Sequence, residues 1–155
     1  MKYAIGIVTY QPELSRLSDN LRAAFASMMV NRVIIYDNHS DNCETIRQLT
    51  ALDSHCLLME GDENRGIAYA LNALCQKAVD EGCDWILTLD QDSVIPKGLL
   101  EEFDHYTDQE DLGIICPGII DRNMGREYTR QTSGTEYITQ CITAGNLVRL
   151  KAWQK

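Results

Sequence analysis

Asp90 and Asp92 stand two positions apart, directly after the apolar run Trp85–Leu89 (WILTL). Two carboxylates at that spacing can share one Mg²⁺ or Mn²⁺, or hold it through one while the other contacts a sugar. Magnesium takes one or two carboxylates and completes its octahedron with water and substrate phosphates. D-x-D is common by chance and also reads as an ordinary polar loop, but its position after the strongest strand favours the cation. Two readings compete for Asp37, which ends the run RVIIYD. An acidic group at such a strand end accepts hydrogen bonds from a ribose hydroxyl or a base N–H, while DNHSDN is equally a good Asx turn. Asn64-Arg65-Gly66 opens a helical pattern, where free N–H groups favour an anion and Arg65 meets a phosphate or base. A capped helix with a solvated arginine is the competing reading. Arg122, Arg126 and Arg130 punctuate a polar stretch, where a role toward diphosphate or acceptor competes with the stronger reading, a solvated loop. His39, His55 and His105 show no ligand spacing and receive no role.

The elements that must hold these groups alternate between strand and helix. Tyr3–Thr9 (YAIGIVT) is a nearly continuous apolar run, as a parallel strand covered on both faces requires. Pro12 opens a helix whose stripe is Leu14, Leu17, Leu21, Ala24, Phe25 and Met28. Arg32–Asp37 is the second strand, followed by a short helix around Glu44–Leu52 and a strand at Cys56–Glu60. Asn64 caps a helix with Ile67, Leu71, Leu74, Cys75 and Ala78 inward, ending near Gly82. Trp85–Leu89 is the next strand, and Pro96 starts a helix that turns Leu99, Leu100 and Phe103 inward. Leu112–Cys116 and Tyr137–Thr143 read as the last strands. Four β–α steps imply an open, mostly parallel α/β sheet with helices on both faces. Ligands of such sheets bind outside the C-terminal strand ends, where Thr9-Tyr10, Asp37-Asn38, Gly61–Asn64 and Asp90–Asp92 fall.

The chain has 155 residues, enough for one domain and one core. Its net charge of -9 repels nucleic acid and anionic lipid, so a bound phosphate needs a local cation, an arginine or backbone N–H groups. No apolar run approaches the roughly 18 residues of a transmembrane helix. MKYAIGIVTYQPE reads as a buried first strand and not a signal peptide, which points to the cytoplasm. The six cysteines contain no C-x-x-C pair and read as small buried hydrophobes, reduced, with Cys56, Cys116 and Cys141 in strands and Cys75 on a helix face.

In order and at their spacings, IVTYQPE, YDNHSDN, ENRGIAYALN, LTLDQDS and ITAGNLVRL resemble the family 2 glycosyltransferases of bacteria. The ordered set of five is specific where each segment alone is weak, and it covers essentially the whole chain. LDQDS resembles the rhamnosyltransferase subgroup of cell-surface polysaccharide synthesis. The resemblance implies an A-type, Rossmann-like glycosyltransferase fold, a nucleotide-diphosphate sugar donor (UDP or dTDP), inversion at the anomeric carbon and a Mg²⁺ or Mn²⁺ cofactor. It implies that Thr9 and Asp37 hold the nucleoside and that Asn64, Arg65 and Gly66 line base and ribose. Asp90 would contact ribose or sugar, Asp92 would coordinate the metal, and Thr143, Ala144, Gly145 and Asn146 would border the sugar and acceptor pocket. The acceptor would be a polysaccharide or lipid-linked glycan, reached from the inner face of the membrane. Residues 1–120 would form the donor-binding part of a single domain and 121–155 the start of an acceptor-side part.

Relatives continue past the VRLKAW segment into an acidic catalytic-base segment, and no residue here matches it. Inverting transfer needs a general base within reach of the acceptor hydroxyl, so the base is expected beyond Lys155 and the chain reads as a truncated fragment. A nucleotide-sugar-binding module without turnover is the alternative from another class. A haloacid-dehalogenase-type phosphatase is a further one, since Asp90–Ser93 nearly fits its D-x-D-x-[TV] motif. That motif normally follows the first strand of its core. Thr9–Glu13 carries no glycine, which disfavours a Gly-rich phosphate loop and a dinucleotide dehydrogenase.

Overall fold

The computed structural model describes residues 1–118, 120, 121, 126, 127, 135–138 and 140–155. In chain order the elements are β1 (Tyr3–Thr9), α1 (Leu14–Phe25), β2 (Val30–Asp37), α2 (Cys43–Thr50), β3 (Cys56–Glu60), α3 (Gly66–Asp80) and β4 (Trp85–Asp90). They are followed by α4 (Leu99–Asp104), β5 (Ile114–Ile115), β6 (Ile120–Asp121), β7 (Arg126–Glu127), β8 (Asn146–Arg149) and α5 (Leu150–Trp153). Six strands form one sheet in the order β3-β2-β1-β4-β8-β5, and β6 and β7 make a separate hairpin pair. The first four are parallel, and β8 runs antiparallel to both β4 and β5. The sheet is therefore open and mostly parallel, as the strand–helix alternation requires.

Alternation along each strand sends successive side chains to opposite faces. From β1, Tyr3, Ile5 and Ile7 pack with Leu17 and Leu21 of α1, Ile46 of α2 and Leu100 and Phe103 of α4. Ala4 and Val8 point the other way, toward Leu74, Cys75 and Ala78 of α3 and Leu150 of α5. Each fully buried Ile or Leu in these layers contributes roughly 1.5–3 kcal/mol. Gly6 lets α3 approach closely: a Cβ there would lie 2.8 Å from Ile86 Cδ1 and 3.2 Å from Leu74 Cδ1.

Several expectations need correcting. Among the described residues of Tyr137–Thr143 none is in a strand, and Tyr137, Ile138 and Ile142 are exposed. The strand is β8, because its residues pair across β4 (Thr88 with Asn146, Trp85 with Arg149) and Leu147 fills the core. Leu112–Cys116 contracts to the two residues of β5. Helix α1 ends at Phe25, which leaves Met28 beyond it and fully exposed, and Ile67 in the first turn of α3 is half-exposed. Cys75 and Cys83 are buried, but Cys43, Cys56 and Cys116 are only half-buried; Cys116 lies just past the end of β5, and Cys141 is exposed outside any strand. Of the loop arginines, Arg126 lies in β7, while Arg122 and Arg130 fall outside the described residues. No helix of the described residues is long and apolar enough to cross a membrane.

Candidate functional site

Register brings the chemistry to one edge. Thr9 pairs with Asp37, Asp37 with Glu60, and Val8 with Asp90, so the C-terminal ends of β1, β2, β3 and β4 lie side by side. The chain leaves β1 for β2 and β3 on one side and returns to β4 on the other. The crevice beyond β1 is therefore the topological switch point, the usual ligand position in such sheets.

On the β2 side the polar groups are closed on one another. Asp37 is 1% exposed. Its Oδ1 accepts from Thr9 Oγ1 at 2.8 Å and Ser40 Oγ at 2.5 Å, and its Oδ2 accepts from the Ser40 N–H at 2.9 Å. The turn reading of Asp37 is the one the geometry realises, and a nucleoside group would reach its carboxylate only by displacing one of these donors. Asn38 extends the network. Its N–H donates to Thr9 O at 2.8 Å, its Nδ2 donates to Asn64 Oδ1 at 2.8 Å, and its Oδ1 accepts the Arg65 N–H at 2.9 Å.

The start of α3 is thus tied to the end of β2. Arg65, not Asn64, occupies the cap position. Asn64 acts one residue earlier, where its Oδ1 accepts the Gly66 N–H at 2.9 Å. Gly66 has φ 78°, a left-handed conformation that favours glycine. The Arg65 guanidinium is exposed and lies 4.9 Å from the Tyr69 ring centre, with Nε 3.1 Å from Glu63 Oε1. Tyr69 in turn meets Tyr36 edge-on at 6.0 Å.

On the β4 side the acidic groups are short of partners. Asp90 is exposed at the strand end. Desolvation by its surroundings, and then the charge of Asp92, raise its carboxyl above the ordinary carboxylate range. Asp92 is half-exposed, and among the described residues its one ion-pair contact is Arg16 Nη1 at 3.6 Å. The backbone here is held more firmly than the carboxylates: Gln91 Oε1 accepts the Tyr10 N–H at 2.9 Å, and Asn20 Nδ2 donates to Asp90 O at 2.9 Å.

Among the described residues no group of three or more His, Cys, Asp or Glu could hold a metal ion. The two carboxylates do fit a Mg²⁺ or Mn²⁺ whose remaining positions are filled by diphosphate and water. The desolvation of Asp90, with the Asp92 charge adding to it, is the electrostatic demand that a cation would meet.

The segment Thr143–Asn146 returns beside β4. Gly145, with φ 79°, donates its N–H to Thr88 O at 2.7 Å, and Thr88 Oγ1 donates to Thr143 O at 2.8 Å. Asn146 is buried, and its Nδ2 meets Ile142 O and Cys141 Sγ. Because Thr88 pairs with Asn146 in antiparallel register, Thr143–Asn146 continues toward the Asp90 edge. The structure therefore brings Thr9, Asp37, Asn64–Gly66, Asp90, Asp92 and Thr143–Asn146 to one end of the sheet. Sequence reasoning placed Asn38 at a strand end without giving it a role, and it gave none to Ser40, Gln91 and Asn20. Asn38 and Ser40 lie inside the DNHSDN turn and Gln91 inside D-x-D, so proximity was their only signal; Asn20 had none.

Solved structures share this architecture. Staphylococcus aureus TarS (residues 1–349) superposes with a TM-score of 0.74 at 16% identity, over 97% of this chain and 47% of that one. The mannosyltransferase PcManGT from Pyrobaculum calidifontis, solved with GDP-Man and Mn²⁺, gives 0.66 at 19%, over 77% and 35%. The fold is that of the A-type nucleotide-sugar transferases. A family model described as glycosyl transferase family 2 matches residues 5–152, and the chain belongs to that family. This displaces the phosphatase reading of Asp90 and Asp92. The chain is also 32% identical over 128 residues to the dTDP-rhamnosyl transferase RfbF of Shigella flexneri, covering 81% of this chain and 41% of the relative's length.

Proposed function

We propose that this chain is the donor-binding part of an inverting glycosyltransferase. It takes a nucleoside-diphosphate sugar, with dTDP-rhamnose the best candidate, and serves transfer to a polysaccharide or lipid-linked glycan acceptor. The observation that carries the reading is the open pair Asp90 and Asp92 at the switch-point edge, beside strand ends whose other polar groups are already bonded. Likeness to RfbF supports the dTDP-sugar. The Mn²⁺ of the mannosyltransferase supports a divalent cation.

The nucleoside rests against the edge that Thr9 and Asp37 frame, flanked by Asn64, Arg65 and Gly66. Arg65 is exposed, and to meet a base or phosphate its guanidinium leaves Glu63 and Tyr69. Asp92 holds the cation, and Asp90 contacts the ribose or sugar. When bound, the cation neutralises the diphosphate and stabilises it as a leaving group. Thr143, Ala144, Gly145 and Asn146 border the sugar on the β8 side. The protein works in the cytoplasm, at the inner face of the membrane where a lipid-linked acceptor is presented.

Charge supplies the test. A nucleoside diphosphate brings about three negative charges toward Asp90 and Asp92, and like charges a few ångströms apart repel by several kcal/mol at an effective dielectric of about 20. Calorimetry with UDP and dTDP is expected to show binding with Mn²⁺ or Mg²⁺ that EDTA abolishes. Equal affinity with and without EDTA contradicts the cation reading, and no binding under either condition contradicts the donor-site reading.

A further inference from the structure

Helix α1 turns four residues fully inward, of which Leu17, Leu21 and Ala24 are apolar and Asn20 is not. Asn20 is 0% exposed. A carboxamide buried on an apolar stripe costs stability unless its hydrogen bonds are made. Here one is made, from Nδ2 to the main-chain oxygen of Asp90 at 2.9 Å, across a sequence separation of 70. Among the described residues its Oδ1 has no hydrogen-bond partner. A leucine has the same branched outline and strands no acceptor, so packing alone does not account for the residue. What leucine cannot do is hold the Asp90 carbonyl.

That carbonyl also accepts the Ser93 N–H at 3.1 Å, the bond that closes the turn Asp90–Ser93. Asn20 therefore grips the turn at its own closing bond. Gln91, within the turn, is held from the opposite side by the Tyr10 N–H. One helical turn before Asn20, Arg16 on the same helix stands 3.6 Å from Asp92 Oδ2. Helix α1 thus touches the acidic turn at both its first carboxylate residue and its second.

We propose that Asn20 is a positioning residue: by clamping the Asp90 carbonyl it presets Asp90 and Asp92 for a divalent cation and its diphosphate. This rests on the reading of those carboxylates as the cation–diphosphate site. Without the clamp the turn is held less tightly, and the ordering then left to the ligand is subtracted from affinity.

Asn20→Leu tests it, with free Mn²⁺ measured by electron paramagnetic resonance during titration with UDP and dTDP, alongside thermal unfolding. The Leu variant is expected to melt at or above the native temperature while its affinity for the Mn²⁺–nucleotide falls about tenfold. Binding at native affinity overturns the proposal, as does a lowered melting temperature with the Mn²⁺ dependence intact, the signature of a packing role alone. Should the Leu variant fail to fold, Asn20→Ala removes the same donor without adding bulk and is read by the same loss of affinity. Asp92→Ala in the native background separates the two claims. If it weakens Mn²⁺-dependent binding, the Asn20 result judges the clamp by itself; if it does not, the clamp falls together with the cation site.

Discussion

Two carboxylate positions flank β1 at the same sheet edge, and the structure treats them oppositely. At the end of β2, Asp37 is sealed, with Thr9 and Ser40 supplying three donors and Asn38 extending the network to the start of α3. At the end of β4, Asp90 and Asp92 have a firmly held backbone but carboxylates with little to bind, one of them raised in pKa by desolvation and by the other's charge. Buried charge that is fully hydrogen-bonded fixes local structure. Charge left without partners calls for a ligand, and sites with perturbed carboxylates in a cleft are candidates for function. On the function proposed above, the β2 end serves as a frame and the β4 end as the receptor.

The largest effect should come from dismantling the frame. Asp37→Ala strands the Thr9 hydroxyl and the Ser40 N–H and hydroxyl in a buried setting, and about 3 kcal/mol of stability is expected to go. Urea denaturation measures it, and a loss below 1 kcal/mol would mean the network is not structural. Asp92→Ala is expected to do the reverse, leaving the urea midpoint where it was while Mn²⁺-dependent dTDP binding weakens ten- to a hundredfold, or about 1.4–2.8 kcal/mol.

Gly66→Ala probes the joint between the end of β2 and the start of α3. Nothing lies within 4 Å of the added Cβ, so the cost is backbone strain alone, about 1–2 kcal/mol for a left-handed residue. A variant as stable as the native chain would show that α3 does not need that φ.

The smallest effect concerns Asp90. Its folded-state pKa is raised, so the folded chain holds a proton that the unfolded chain has already lost between the two pKa values. Its contribution to stability therefore rises as pH falls through the shifted value, while cation binding weakens over the same range because the proton competes. Asp90→Asn is expected to raise the neutral-pH melting temperature slightly and to flatten that pH response, with cation-dependent binding reduced. A fall in melting temperature would contradict the raised pKa.

Legibility in the sequence followed how local the determinants are. The strand Cys56–Glu60 and the fold class are written in apolar runs whose period and boundaries are local, and both are found as expected. Asp90-x-Asp92 was legible because a buried strand runs straight into it. The last strand was not. Tyr137–Thr143 carries the stronger β pattern, yet β8 forms instead, through pairing with β4 and the Arg149 guanidinium lying 4.5 Å over the Trp85 ring while its Nη2 donates to Thr107 O and Gln109 O. Those partners are remote in sequence and leave no local signal. Asn38, Ser40 and Asn20 were hidden for the same reason: a polar side chain declares its role only when its acceptor is in place. Arg65 was expected to be free for phosphate, and its engagement with Glu63 and Tyr69 is a surface arrangement that spacing does not encode.

The division into frame and receptor is tested most directly by measuring thermal stability and Mn²⁺-dependent dTDP affinity together on two isosteric variants, Asp37→Asn and Asp92→Asn. The structure predicts that Asp37→Asn lowers the melting temperature and leaves the ratio of affinities with and without Mn²⁺ near native. Asp92→Asn should melt at or above the native temperature and lose that ratio. The reverse pattern, with Asp92→Asn destabilised but binding normally and Asp37→Asn stable but unable to bind, would contradict the account.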